Sequence, residues 1–254
     1  MEITVLPDVT VVFLLMFARI GGLVMLMPGI GDRTVPARAR LGLALLLTLV
    51  FYPMNAGRYP DDIAADGTGM IILFIGEIVV GVALGLLARM LVAAAATAGT
   101  VIAFQIGLSF SQTVDPTQGQ QGVIFGSFMA LTGTVLIFVL DLHHILIAGL
   151  AGSFDVFPPG APIMAGDMAM LATETLAGAF RVGVQIAAPF IVFGLLLSLG
   201  LGILAKLIPQ MQVYFVAMPM QIWLGLLLFA LLFSTMMAWY MGRLEDGFLR
   251  LLPS

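Results

Sequence analysis

Asp141-Leu142-His143-His144 is the first run whose residue types could ligate a metal or move a proton. Neighbouring positions on an α-helix point about 100° apart, so adjacent histidines predict diverging rings. A zinc helix instead places its histidines at i and i+4. The chain has no cysteine to complete a site. The run therefore reads as a polar helix end at the membrane–water boundary, and no metal is expected. Glu77, Arg89 and Arg181 form the second group, because each sits inside an apolar stretch. A charge at the bilayer centre costs about 2.5–3.5 kcal/mol on insertion scales, so such residues pair or face protein. Glu77 and Arg89 lie about three turns apart on one helix, too far for a direct pair. They read as buried charges in ion pairs within or between subunits, with a proton relay as the sharper alternative.

Several chemistries have no residues to carry them. There is no G-x-x-x-x-G-K-[ST] loop, and Lys206 is the sole lysine. No G-x-S-x-G elbow and no H-E-x-x-H helix occur. ATP hydrolysis and intramembrane proteolysis therefore lack their groups, and the chain is read as a non-enzyme with no cofactor.

A polar insert at 105–122 contains Gly107, Phe110, Gln112, Asp115-Pro116, Gln118, Gly119, Gln120, Gln121 and Gly122. Non-helical backbone at membrane depth survives only inside protein or beside water. The insert thus reads either as a pore-lining or plugging loop or as a surface connection, and the residues alone favour the connection. Methionine is frequent, with 17 residues. Met211, Met218, Met220, Met236, Met237 and Met241 gather in the last segment as soft core packing or a deformable seal.

The elements that position these residues follow from composition. Hydrophobic residues make up 61% of the 254 and charged residues 9%, where a soluble domain carries roughly a quarter charged. Charge-free runs cover 90–114, 116–140, 182–205 and 207–242. A helix needs about 20 apolar residues to cross hydrocarbon. The run 224–233 does not alternate as a barrel strand would, so the fold class is all-α membrane protein.

Six apolar segments are expected, at about 9–31, 41–54 (closed by the breaker Pro53), 70–104, 123–147, 171–206 (kinked near Pro189) and 211–242, followed by a short amphipathic tail. The basic loop at 32–40 marks a cytoplasmic side. Net charge is −4, which excludes a nucleic-acid partner. Gly81, Gly85, Ala88, Ala95, Gly99 and Ala103 recur at helical spacing. Such a stripe lets backbones approach, either inside the bundle or on another subunit.

Taken together, several stretches resemble the FliR family, whose injectisome relatives are called SctT. They are Phe17-Ala18-Arg19-Ile20-Gly21-Gly22 with Pro28-Gly29 and Val35-Pro36-Ala37-Arg38-Ala39-Arg40, then Gly76-Glu77 with Gly81 and Gly85. Asp115-Pro116 with Gly119 follows, then His143-His144 with Ser153-Phe154 and Pro158-Pro159-Gly160. Ala187-Ala188-Pro189 and Ile208-Pro209-Gln210-Met211 with Val213 complete the set.

The resemblance implies a subunit of the type III, flagellar protein-export gate in the bacterial inner membrane at the basal body. It implies FliP-like and FliQ-like partners, FlhB-like and FlhA-like components, and unfolded exported proteins as cargo within membrane lipid. Residues 1–167 would be the FliP-like helical part, and 168–254 the FliQ-like hairpin. The loop 107–122, with Gly107, Phe110, Gln112, Asp115, Pro116, Gly119 and Gly122, would plug the closed channel. Gly81, Gly85, Gly99, Pro189 and Pro209 would serve packing. The family's apolar segments are bent hairpins packed on partners, so the six segments need not be six simple spans. The alternative is a small secondary transporter coupling ions through Glu77, Arg89 and Arg181, although no internal repeat supports it.

Overall fold

The computed structural model describes residues 5–60, 67–108, 121–162, 165–208 and 213–250. Over those residues the chain is helical, without a strand. The helices are α1 (Val5–Leu26), α2 (Ala37–Asn55, followed by a 3₁₀ turn at Ala56–Arg58), α3 (Gly67–Gln105), α4 (Gln121–Val139), α5 (His143–Val156), α6 (Ala165–Leu207) and α7 (Val213–Leu249).

Five helices among the described residues are long and apolar enough to cross a membrane, or six crossings if α4 and α5 count as one broken span. The all-α membrane class expected from composition therefore holds. Helices α3, α6 and α7 contain 39, 43 and 37 residues. At 1.5 Å per residue they are about 55–65 Å long, roughly twice the hydrocarbon thickness. One crossing does not account for such lengths.

Several segment boundaries differ from the expectation. The first helix stops at Leu26, and the chain turns through Gly29, whose φ is +81°. Pro53 does not break α2 but lies inside it, two residues before its end. Near a C-terminus the ring forfeits only one ladder bond, and packing outweighs it. The expected segment 123–147 is two helices, interrupted at Asp141, whose φ is +57°. Helix α6 begins earlier than expected and runs through Pro189. The supposed tail is the last part of α7.

Lipid offers no hydrogen bonds, so polar side chains on apolar helices must find partners locally. The hydroxyls of Thr48, Thr97, Thr100, Thr132, Thr134 and Thr173 each donate to the carbonyl four residues back, at 2.7–3.1 Å. The Asn55 amide does the same to Phe51 at 3.1 Å. This back-bonding is how small polar residues sit on such helices without a tertiary partner.

Two compact units form. The first comprises residues 1–91, 138–176 and 245–254, the second 92–137 and 177–244. In the first, Leu15, Met16, Ile20 and Val24 of α1 are buried, as are Leu150 and Phe154 of α5. In the second, Ala95, Ala98 and Ile102 of α3 are buried, as are Met129, Phe190 and Tyr240. Phe125, Phe128, Phe190, Phe229 and Phe233 pack there as one aromatic group, with ring centroids 4.7–6.4 Å apart. Met236, Met237 and Met241 are buried, whereas Met220 is exposed, so the methionines serve mostly as core packing. Compactness groups the chain differently from the sequence division at 167/168.

The small-residue stripe of α3 is used inside the chain. A Cβ on Gly81 would collide with the carbonyl of Arg19 on α1, and one on Gly85 would lie 2.6 Å from Leu26 Cβ. In the second unit, a Cβ on Gly99 would lie 2.8 Å from the Gly126 Cα of α4. These three glycines let helix backbones touch. Pro189 is exposed, and Pro209 lies outside the described residues.

Gly81→Ala is expected to destabilise by roughly 1–3 kcal/mol, because α1 must move off α3. Gly42→Ala, where the new Cβ meets nothing within 4 Å, should be neutral or slightly stabilising. Thermal unfolding of the two detergent-solubilised variants compares them. Equal melting temperatures would remove the close-approach argument.

Candidate functional site

Arg19 is the most buried large side chain with a charge, at 1% exposure. Its Nε donates to Glu77 Oε2 at 2.5 Å and its Nη2 to Glu77 Oε1 at 2.9 Å, a bidentate pair. Nη2 also donates to the Phe157 carbonyl at 2.9 Å. Nη1 donates to the Ser153 carbonyl at 3.0 Å and to Ser153 Oγ at 3.5 Å. The Ser153 hydroxyl donates in turn to the Leu150 carbonyl at 2.7 Å. Every guanidinium N–H is thereby claimed. The plane also lies 4.3 Å from the Phe154 ring centroid, the stacking that guanidinium favours. α1, α3, α5 and the turn after α5 all converge on this one side chain.

A cavity of about 790 Å³ opens beside the pair, walled mainly by Pro60, Met70, Leu73, Val80, Phe157 and Pro162. Tyr59, after the 3₁₀ turn, is buried close by. Burial pushes its phenol up, and the neighbouring Glu77 carboxylate adds to that effect. Arg58 pairs with Asp155 at 2.5 Å on the exposed side of the same region.

The three charges expected to be buried do not form one group. Glu77 is buried, but its partner is Arg19, not Arg89 or Arg181. Arg89 is 45% exposed and pairs with Asp32 of the first loop at 3.0 Å. Arg181 is exposed on α6, with no ion pair among the described residues. An apolar neighbourhood in sequence does not bury a side chain that points off the helix bundle, and this weakens the transporter alternative. In the sequence Arg19 stands out only as part of the first fragment that carries the resemblance. Its partners lie 58 to 138 residues away, beyond any local pattern.

The Asp141 run also departs from expectation. The His143 and His144 ring centroids are 4.1 Å apart although both residues lie in the first turn of α5, so the two side chains converge despite the angle between their positions.

Of the polar insert, Phe110, Gln112, Asp115, Pro116 and Gly119 lie outside the described residues, and Gly122 sits in the first turn of α4. Gly107 marks the entrance. Its φ is +86°. Its N–H donates to the Phe104 carbonyl at 3.1 Å, and the Leu108 N–H donates to Ala103 at 3.0 Å. This is a Schellman cap, which requires a left-handed residue and so favours glycine. The Gln221 amide of α7 donates to the Gln105 carbonyl at 3.0 Å, claiming another orphan group of the helix end. The insert connects α3 and α4 in sequence, and these two helices touch at Gly99 and Gly126.

Residues 10–247 match the family model described as bacterial export proteins, family 1. Flagellar biosynthetic protein FliR of Caulobacter vibrioides is 38% identical over 87% of this chain and 87% of its own. The Bacillus subtilis protein of that name is 32% identical, over 85% of this chain and 83% of its own. The Escherichia coli K12 protein is 29% identical, over 84% and 81%. The chain belongs to the FliR family of bacterial export proteins.

Within this FliR-family chain, three fragments that carried the resemblance meet at one point. Arg19 comes from the first, Glu77 from the second, and Ser153-Phe154 from the third. Segments remote in sequence are thereby assembled into one structural joint.

Arg19→Met or Glu77→Met alone should destabilise by about 3–5 kcal/mol, since each leaves a charge buried without its partner. Arg19→Met combined with Glu77→Met should recover part of that loss. It cannot recover all of it, because the Ser153 and Phe157 carbonyls stay unclaimed. Arg19→Lys should fail to rescue, as three donors cannot replace a five-donor fork. Melting temperatures of the four variants in one detergent measure this, and additive losses in the double variant would disprove the coupling.

Proposed function

We propose that this chain is the FliR-like subunit of the flagellar protein-export gate. With FliP-like and FliQ-like subunits it would form the channel through which unfolded proteins leave the cytoplasm. The observation that carries the reading is the family match over residues 10–247. That membership makes the chain a membrane component of the flagellar export apparatus, acting as a structural transport subunit. The finer assignments are proposals. They place the gate in the inner membrane at the basal body, beside FlhB-like and FlhA-like components. They also take 1–167 as the FliP-like part and 168–254 as the FliQ-like hairpin.

Two structural features support an assembled role. Long helices leave large apolar residues uncovered, such as Leu195, Leu196, Leu199 and Ile203 on α6 and Trp223, Leu227 and Leu231 on α7. Faces of this kind need lipid or neighbouring subunits to cover them. The second feature is the end of α3 from which the insert departs, capped at Gly107 and bonded by Gln221. A segment that starts from a capped helix end is suited to act as a plug, with Phe110 as its bulky apolar residue and Gly119 giving backbone freedom.

Co-purification with FliP-like and FliQ-like subunits tests the assembly. Single-channel conductance of the assembled complex, intact and with 110–118 shortened, tests the plug. Shortening should leave assembly intact and open a leak to small ions. Closed behaviour in both would remove the plug and leave the chain as a purely structural part of the gate.

A further inference from the structure

We propose that Asp141, His143 and His144 form a binding site for a divalent transition ion of the zinc class, a role separate from the export reading. The sequence pattern argued against such a site, and the geometry reverses that argument. One possible ligand atom from each residue lies within 4.8 Å of the others. Asp141 Oδ1 and His144 Nδ1 are 3.7 Å apart, beyond a hydrogen bond. Two ligand atoms each about 2.1 Å from a tetrahedral ion stand about 3.4 Å apart. The carboxylate and imidazole are thus already spaced almost as ligands of one ion.

The backbone around them is arranged in an uncommon way. Asp141 is the non-glycine residue with positive φ among those described, at +57°. Left-handed backbone is unfavourable for a side-chain-bearing residue and tolerated best by Asn and Asp. Here it ends α4 and brings the carboxylate to the first turn of α5. His143 is held by stacking on Phe138, centroids 5.1 Å apart, and its Nδ1 is buried with no hydrogen-bond partner among the described residues. All of these residues lie in the first compact unit.

The donor set of two imidazoles and one carboxylate suits zinc, and also nickel or cobalt, better than calcium or magnesium. Three protein ligands leave a coordination position for water. A bound ion would pin the interruption between α4 and α5.

The full chain, purified through a tag without histidines together with any subunits that accompany it, is titrated with Co²⁺ as a spectroscopic probe and then with Zn²⁺. The expected result is one equivalent of Co²⁺ with visible ligand-field absorption, displaced by Zn²⁺. Binding should be lost in the His143→Ala/His144→Ala variant and weakened roughly tenfold or more in Asp141→Asn. Asn keeps the size of Asp and its tolerance of left-handed backbone, so that variant separates loss of a ligand from loss of the turn. Uptake that does not saturate by about 1 mM ion, or that survives in both variants, indicates an adventitious ion only and overturns the site.

Discussion

A guanidinium among apolar helices is tolerable when its charge is matched and its N–H groups are all claimed. Arg19 meets both conditions through Glu77, Ser153 and Phe157, and much of the first unit follows from how it does so. Glu77 and Gly81 are one turn apart on α3, on the same face. Gly81 lets α3 rest on the backbone of Arg19 itself, and that approach carries the Glu77 carboxylate onto the guanidinium. α5 must then present two carbonyls, from Ser153 and from Phe157 beyond its end, which fixes both its rotation and its length. A buried pair of this kind adds little net stability over a well-packed apolar substitute. Its strength is selectivity, since few other packings of these helices satisfy all five donors.

The outer surface follows a different logic. α6 and α7 each carry an apolar face with no cover within the chain, while their polar side chains are satisfied locally by back-bonding, as at Thr173. A chain built this way is finished by its surroundings. That agrees with membership of a family of bacterial export proteins.

The class of fold was legible because hydrophobicity is summed over long runs, and runs such as 182–205 admit little besides helix. α3 was legible nearly to its ends. The break at Asp141 was not, because a single residue in left-handed backbone leaves no periodic trace. Nor was the fate of the charges. Glu77, Arg89 and Arg181 share an apolar sequence context, yet one is buried and two are exposed, since facing is decided by helices remote in sequence. The resemblance succeeded where local physics was silent because it joins distant fragments, which is how Arg19, Glu77 and Ser153 are joined in space.

The joint at Arg19 also has a consequence for biosynthesis. α1 is made first, and its arginine has no claimed donors until Glu77 emerges 58 residues later. Phe157 follows Arg19 by 138 residues, about 7–28 s of translation at roughly 5–20 residues per second. Throughout that interval the first helix carries an incompletely compensated cation, which raises the free energy of lodging it in hydrocarbon by a few kcal/mol. Full satisfaction of the arginine's donors therefore waits for α5 and the turn after it. The helix made first is thus the one whose polar contacts are completed by a segment made much later.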